Sequence, residues 1–156
     1  MVAKGDTFYA WAADAACQER GECGGAVTAL LTHALSSGMV DAVLAVKKGQ
    51  DIYDAVPTLI TDPAEIAQTS GSLHCGTLLL SKLVKEFLDG AKDMRIAIPV
   101  KGCDAMGLYE LAKRNQVNLD NILMIGLNCG GTIRPEVART IVRERLGLDP
   151  DDVVKE

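Results

Sequence analysis

Short apolar runs alternate with helix-like segments along this chain, and this alternation limits the possible folds more than any other feature. Four runs are typical of strands, at residues 40–46, 55–61, 94–100 and 122–127. Pro57 lies inside the second run and favours an edge or irregular strand there. Strands that alternate with helices build a layered α/β fold. We therefore predict an α/β fold in which helices pack on a mostly parallel or mixed sheet.

Helix signals fill the intervals between these runs. The clearest helix begins after Gly24, because apolar residues recur at helical spacing from there to Gly38, which is placed as a C-terminal cap. Residues 7–14 mix aromatic residues with alanine and predict one additional strand at the beginning of the chain. Further helices are predicted at residues 62–69, 77–89, 105–114 and 135–146.

Composition restricts the class of protein. The 156 residues fit one domain, residues 1–156, and its core must use Ala, Val, Leu and Ile because only 4% of residues are aromatic. A formal net charge of -5 argues against nucleic acid as a partner. Five widely spaced cysteines form no disulfide framework. The N-terminus has no apolar signal core, and the apolar runs are far shorter than the roughly 20 residues of a membrane helix, so we expect a cytoplasmic protein.

Two cysteines follow runs that a parallel sheet would place side by side. Cys103 comes shortly after the run at residues 94–100, and Cys129 comes shortly after the run at residues 122–127. Because the carboxyl ends of neighbouring parallel strands open into one crevice, the two thiols can meet there. A lone cysteine is usually only a small buried side chain, but two at corresponding strand ends favour a metal or redox centre.

The ligand count limits which metal this pair could hold. Zinc is disfavoured, because the chain has no CxxC motif and its two histidines are not spaced like zinc ligands. An iron–sulfur cluster needs about four thiolates, and the pair supplies two of them. The others would have to come from Cys23, from Cys75 or from sequence outside this chain.

Two glycine-containing loops precede helices. In the first, Gly24 and Gly25 stand at a helix start, where free backbone N–H groups and the helix dipole favour a phosphate, and Thr28 could add a hydroxyl. The motif is neither GxGxxG nor a Walker sequence, so an ordinary tight turn is the alternative. The second loop, residues 70–77, could wrap a diphosphate or line a ring-shaped cofactor. His74 would be a donor there, unless it is a structural or solvated histidine.

Two charged residues flank Cys103. We interpret Asp104 as the N-cap of the helix predicted at residues 105–114, in preference to a functional acid. Lys101 could contact an anionic cofactor, and an exposed lysine is the equal alternative. The sequence offers neither a Ser/His/Asp triad nor a pair of carboxylates arranged for catalysis.

Four stretches, taken together and in order, resemble one family, the coenzyme F420 hydrogenase/dehydrogenase beta subunits. They are residues 22–30 (ECGGAVTAL), 71–75 (GSLHC), 103–106 (CDAM) and 126–132 (GLNCGGT). The resemblance covers essentially the whole chain and implies a protein with FAD and a [4Fe-4S] cluster. Electrons would come from formate oxidised in a formate dehydrogenase alpha subunit, or from hydrogenase subunits. They would pass through clusters to FAD, which delivers a hydride to coenzyme F420.

The same resemblance assigns residues to these cofactors. Cys103 and Cys129 would be two thiolate ligands of the cluster. Members of the family continue into a cysteine-rich region, so this chain is expected to be the N-terminal part of a longer subunit. Two alternatives stay open: a beta subunit of an F420-linked hydrogenase, and a cofactor-free interaction domain with the same fold. The cofactor-binding residues would be Gly24, Gly25, Val27, Thr28, Ser70, Gly71, Ser72, His74, Lys101 and Asn128.

Overall fold

The protein, described from a computed structural model that covers residues 2–76 and 78–153, is organised around one four-stranded sheet. The strands are β1 (Ala42–Lys48), β2 (Ala55–Ile60), β3 (Ile96–Val100) and β4 (Ile122–Gly126), in the spatial order β2-β1-β3-β4. β1 pairs with β3 and β3 with β4 in parallel, whereas β2 pairs with β1 in antiparallel orientation. The predicted α/β class is confirmed, and the sheet is of the mixed kind.

Pro57 explains why β2 is an edge strand. It lies opposite Val46 of β1 and is exposed, and it cannot donate a backbone hydrogen bond to a further strand. β3 is central instead, because Ile96 is in register with Ala42 of β1 on one side and with Ile122 of β4 on the other. All three residues are buried. The apolar run that predicted this strand therefore fits a position with neighbours on both edges.

The described residues form five α-helices, of which α2, α3 and α4 pack against the sheet. The predicted helices are confirmed with small shifts of their ends, and the start proposed at Thr77 lies outside the described residues. Asp62 caps its helix as predicted, since its carboxylate accepts a hydrogen bond from Ala64 N at 2.9 Å, but that helix is of the 3-10 type. The α-helices are α1 (Ala15–Arg20), α2 (Ala26–Ser36), α3 (Leu80–Phe87), α4 (Gly102–Lys113) and α5 (Pro135–Arg145), and the 3-10 helices are Pro63–Thr69, Asp89–Ala91 and Leu119–Asn121.

The strand predicted at residues 7–14 is wrong. Within the described part of the chain this segment joins no sheet. Ala12 N donates to Gly24 O at 2.7 Å, and Ala12 O accepts from Gln18 Nε2 at 2.6 Å. Tyr9 is 99% exposed, so its aromatic ring lacks the packing that stabilises such residues in a strand. The short helix α1 follows the segment and was not predicted, although Asp14 caps it by accepting a hydrogen bond from Cys17 N.

The core lies on both faces of the sheet. On one face, Leu80, Val84 and Leu108 from α3 and α4 pack against the inward side chains of β1, β3 and β4. On the other face, Leu31 of α2 and Ile66 of the following 3-10 helix pack against the alternate residues of β1 and β3. Helices cover both faces of the sheet. A crevice can therefore form at the carboxyl ends of the parallel strands β1, β3 and β4. Among the described helices, none has the length and apolar character that crossing a bilayer requires.

Candidate functional site

A cavity of about 490 Å³ opens at the edge where the parallel strands end. Three loops surround it: residues 21–25 before α2, residues 69–76 before α3, and residues 127–132 after β4. Pro99 of β3 and Val46 of β1 contribute to the wall at the strand ends. Its volume lies within the range of about 300–1,000 Å³ that is usual for small-molecule sites. The fold therefore brings the two predicted glycine loops to one concave site.

The first loop ends in the start of α2. Gly25 is the N-cap with φ 68°, and a Cβ at this position would lie 2.3 Å from Cys17 O. A glycine is therefore required here by the fold itself, whether or not a ligand approaches. Val27 and Thr28 in the first turn of α2 line the cavity together with Gly25. Gly24 has another role, because a Cβ there would lie 2.9 Å from Trp11 Cβ.

The second loop is tied to the first by polar contacts. Ser70 Oγ lies 3.3 Å from Thr28 Oγ1, so this serine links the second loop to α2. Ser70 itself is outside the described cavity lining. Ser72 and His74 do line the cavity, and His74 Nε2 lies 3.2 Å from Glu22 Oε1. Hydrogen bonds from Ser72 and His74 hold the pKa of Glu22 below its usual value. Glu22 is thus an unpredicted cross-link at the cavity mouth.

The third loop is attached to the second in turn. Asn128, Cys129 and Gly130 line the cavity, and Thr132 Oγ1 donates to His74 O at 3.0 Å. Ile133 N donates to the same carbonyl oxygen at 3.0 Å, and a short parallel bridge joins this residue to the loop before α3. The three loops consequently form one connected rim. Gly71, in the second loop, also lines the cavity.

Lys101 and Asp104 form an ion pair at the cavity wall. Lys101, not Asp104, is the N-cap of α4, and Asp104 lies three residues inside the helix, so the predicted cap position is wrong. The prediction failed because the helix begins immediately after β3, with Gly102 and Cys103 already in its first turn. Lys101 Nζ lies 2.5 Å from Asp104 Oδ2, and its side chain lines the cavity with 30% of its surface exposed. Lys101 is therefore not an ordinary exposed lysine.

The two predicted cluster ligands follow neighbouring strand ends, and one of them lines the cavity. Val100 is opposite Gly126, and Leu127 N donates to Val100 O at 2.8 Å, so the strand ends stay side by side. Cys129 lies in the loop that lines the cavity, whereas Cys103 is exposed in the first turn of α4, outside the lining as described. Within residues 2–76 and 78–153 no group of three or more His, Cys, Asp or Glu side chains is arranged to hold a metal ion.

The remaining cysteines differ in their surroundings. Cys23 is exposed and lines the cavity, and Cys17 is partly buried beneath Gly25, with its Sγ 3.5 Å from Gly25 O. Burial raises the pKa of the Cys75 thiol, to which the nearby Asp51 also contributes. Cys75 is therefore a poorer thiolate at neutral pH than an exposed cysteine would be.

Comparison with known families gives matches over nearly the whole chain. Residues 7–85 match the family model that describes the N-terminal part of the coenzyme F420 hydrogenase/dehydrogenase beta subunit. Residues 93–156 match the companion model, which describes the C terminus of the same coenzyme F420 hydrogenase/dehydrogenase beta subunit. The two matched segments build one sheet here, since β1 and β2 come from the first segment and β3 and β4 from the second.

Individual relatives agree with the family match. The F420-dependent formate dehydrogenase 1 subunit beta of Methanococcus maripaludis is 52% identical over 97% of this chain, and the F420-dependent formate dehydrogenase subunit beta of Methanocaldococcus jannaschii is 51% identical over 93%. This chain spans 38% of the length of each of these two relatives. The coenzyme F420 hydrogenase subunit beta of Methanothermobacter thermautotrophicus is 26% identical over 91% of this chain and 52% of its own length.

A solved structure has the same fold. A chain from the F420-reducing [NiFe] hydrogenase complex of Methanosarcina barkeri superimposes with a TM-score of 0.72 at 17% identity. The match covers 89% of this chain and 49% of that chain. At this level of identity the similarity establishes the arrangement of strands and helices alone.

Proposed function

This chain belongs to the coenzyme F420 hydrogenase/dehydrogenase beta-subunit family, and we propose that it is the FAD-binding part of a longer beta subunit of an F420-dependent formate dehydrogenase. In this proposal the oxidoreductase passes electrons from formate, through FAD, to coenzyme F420. One observation supports it above the others: a single cavity collects eight of the ten residues expected to bind the cofactor. These eight are Gly25, Val27, Thr28, Gly71, Ser72, His74, Lys101 and Asn128.

The cavity has features that suit a flavin dinucleotide. The first turn of α2 lines it, and the free N–H groups of a helix start favour a diphosphate. Gly130 and Gly131 also line it, and a Cβ on either would have no heavy atom of the described residues within 4 Å. This pair leaves a backbone surface that a ligand can approach closely. Partly buried apolar side chains such as Val27 and Leu78 are available to pack against a ring and exclude water.

Bound FAD would supply the chemistry that these side chains lack, because a flavin accepts electrons singly and releases them as a hydride. The contribution of the chain is binding and orientation. Glu22 holds His74 at the rim through the 3.2 Å contact, and Thr132 fixes the backbone carbonyl of His74. The rim is therefore cross-linked before any ligand enters, which reduces the entropy lost on binding.

The described residues do not form a complete [4Fe-4S] site. Cys103 and Cys129 remain our proposed ligands for two of about four thiolate positions. The others would come from elsewhere in the longer subunit. If both cysteines are ligands, replacing either with serine in the full-length subunit should lower the iron content, whereas Cys17→Ser should leave it unchanged. Equal iron content in all three variants would contradict the assignment.

Formate is favoured over hydrogen as the electron source because of the difference in similarity. Relatives named formate dehydrogenase beta subunits are 51–52% identical to this chain, whereas those named coenzyme F420 hydrogenase beta subunits are 25–26% identical. The proposed partner is accordingly a formate dehydrogenase alpha subunit. Co-expression of tagged beta subunit with the alpha subunit should give a complex that reduces coenzyme F420 with formate. Reduction with hydrogen and hydrogenase subunits alone would favour the alternative.

Titration with FAD tests the cavity assignment directly. Gly130 has an ordinary backbone conformation and open space at its Cβ position, so Gly130→Val should fold normally and obstruct the cavity. Gly126 has the same open surroundings but lies outside the described cavity lining, which makes Gly126→Val the matched control. We expect Gly130→Val to weaken FAD binding at least about tenfold, or about 1.4 kcal/mol, with the control unchanged. A wild-type chain that binds no FAD would favour a cofactor-free interaction domain.

A further inference from the structure

Asp104 is the most deeply buried charged group beside the cavity. Its exposed surface is 0%, and both carboxylate oxygens have partners. Oδ1 accepts a hydrogen bond of 2.6 Å from Leu80 N, at the first residue of α3. Oδ2 lies 2.5 Å from Lys101 Nζ and 3.4 Å from Lys101 N. One side chain thus connects the starts of α3 and α4 and fixes a lysine between them.

The donors of Lys101 are only partly used by the protein. A lysine ammonium has three N–H donors. Asp104 Oδ2 accepts from one, and Leu78 O, at 3.2 Å, accepts from another. The described residues provide acceptors for these two. Since the side chain lines the cavity and 30% of its surface is exposed, the third N–H is available on the cavity side.

The charge and surroundings of this donor indicate what it would meet. The ammonium is compensated by a fully buried carboxylate, so the pair adds no net charge to the wall. Leu78, whose carbonyl oxygen accepts from the ammonium, and Pro99, two residues before Lys101, are apolar members of the lining. The start of α2, which suits a diphosphate, approaches the cavity from the opposite face of the sheet. A planar ring with a carbonyl oxygen fits the lysine side better than an anionic group does.

We infer that Asp104 is a positioning residue that holds the Lys101 ammonium with one N–H directed to a carbonyl oxygen of the bound ring system. The inference rests on the proposed function, in which that ring is the isoalloxazine of FAD. It differs from the sequence prediction for Lys101, which was contact with an anionic cofactor. In this arrangement Lys101 contributes a directed hydrogen bond, and the diphosphate is bound at the α2 end.

Replacing Asp104 with asparagine separates the two roles of the carboxylate. The amide oxygen can still accept the hydrogen bond from Leu80 N and so retain the cap of α3. The amide nitrogen would then face Lys101 Nζ, a donor opposite a donor, and the ammonium would lose its fixed position. Lys101→Met removes the ammonium and keeps much of the apolar stem. Lys82→Met is the matched control, because Lys82 is an exposed lysine of α3 outside the described lining.

The experiment measures FAD affinity by flavin fluorescence and the carbonyl stretching bands of bound FAD by infrared difference spectroscopy. We expect Lys101→Met and Asp104→Asn each to weaken binding about tenfold and to shift one carbonyl band to higher frequency. The double variant should be no weaker than either single variant, because both changes remove one interaction. Lys82→Met should match the wild type in both measurements.

These measurements distinguish failure of the inference about Lys101 and Asp104 from failure of the proposed function. A wild-type chain and full-length subunit that bind no FAD would refute the proposed function itself. Normal FAD binding with unshifted carbonyl bands in Lys101→Met would overturn the inference alone. If Asp104→Asn weakens binding while Lys101→Met does not, Asp104 acts only on the fold and the inference is also wrong. Should Asp104→Asn fail to fold, the carbonyl bands in Lys101→Met still decide the question.

Discussion

Gly25→Ala should destabilise the chain in the absence of any ligand. The glycine has φ 68°, a left-handed conformation that costs a residue with a Cβ roughly 1–2 kcal/mol. The added Cβ would also lie 2.3 Å from Cys17 O, a backbone atom that cannot rotate away. Relief of such an overlap in a packed region typically costs about 1–3 kcal/mol. Together the two effects predict a loss of about 2–5 kcal/mol in the free energy of unfolding.

This loss is large enough to measure by thermal denaturation. For a domain of this size each kcal/mol lowers the melting temperature by about 2–4 °C, so the expected decrease is about 4–20 °C. Circular dichroism of the FAD-free chain provides the measurement. Gly130→Ala is the control, because it lines the same cavity with no overlap at the Cβ position, and it should melt within about 2 °C of the wild type. An unchanged melting temperature for Gly25→Ala would refute the steric explanation.

Two further predictions concern ion pairs outside the cavity. The bidentate contact with Arg95 holds the pKa of Asp41 below its usual value. The ionised carboxylate therefore stabilises the fold at pH values above its unfolded-state pKa. This stabilisation is lost as the pH falls through the lower, folded-state pKa. Asp41→Asn should therefore reduce the pH dependence of the unfolding free energy below about pH 4, measured by urea denaturation across a pH series. Arg139 contacts Asp51 and Asp151 with separate nitrogens, so Arg139→Lys should speed hydrogen exchange in the β1–β2 turn, and an unchanged rate would contradict a bridging role.

Periodicity was sufficient to predict the layers of this fold, because the local pattern and the tertiary structure agree in most elements. Residues 42–46 and 96–100 are continuous apolar runs, and they belong to β1 and β3, the two central strands. The segment at residues 7–14 failed because its aromatic residues favour a strand only when a neighbouring strand is available to pair with. Nothing in the local sequence reports whether such a neighbour exists.

The position of the site was predictable for a topological reason, and its internal contacts were not. Loops that follow neighbouring parallel strands open at one end of the sheet, so the proximity of the segments after β3 and β4 could be expected. The loop at residues 70–76 follows a 3-10 helix instead, and the same rule does not predict its approach. The contact between Glu22 and His74 spans 52 positions in sequence, and no local pattern marks it. No local pattern marks the contact of Asp104 with Leu80 N either, which caps α3, a helix that begins 24 residues earlier. The local rule for N-caps identified the residue type and assigned it to the wrong helix position.

Differential alkylation of the cysteines tests most directly whether FAD occupies the described cavity. The measurement compares alkylation rates at each cysteine of the iron-free chain by mass spectrometry, with and without saturating FAD. Cys23 and Cys129 line the cavity, whereas Cys103 is also exposed but lies outside the described lining. We expect FAD to slow alkylation of Cys23 and Cys129 and to leave Cys103 unchanged. Bound FAD that protects Cys103, or that protects neither of the lining cysteines, would contradict the proposed site.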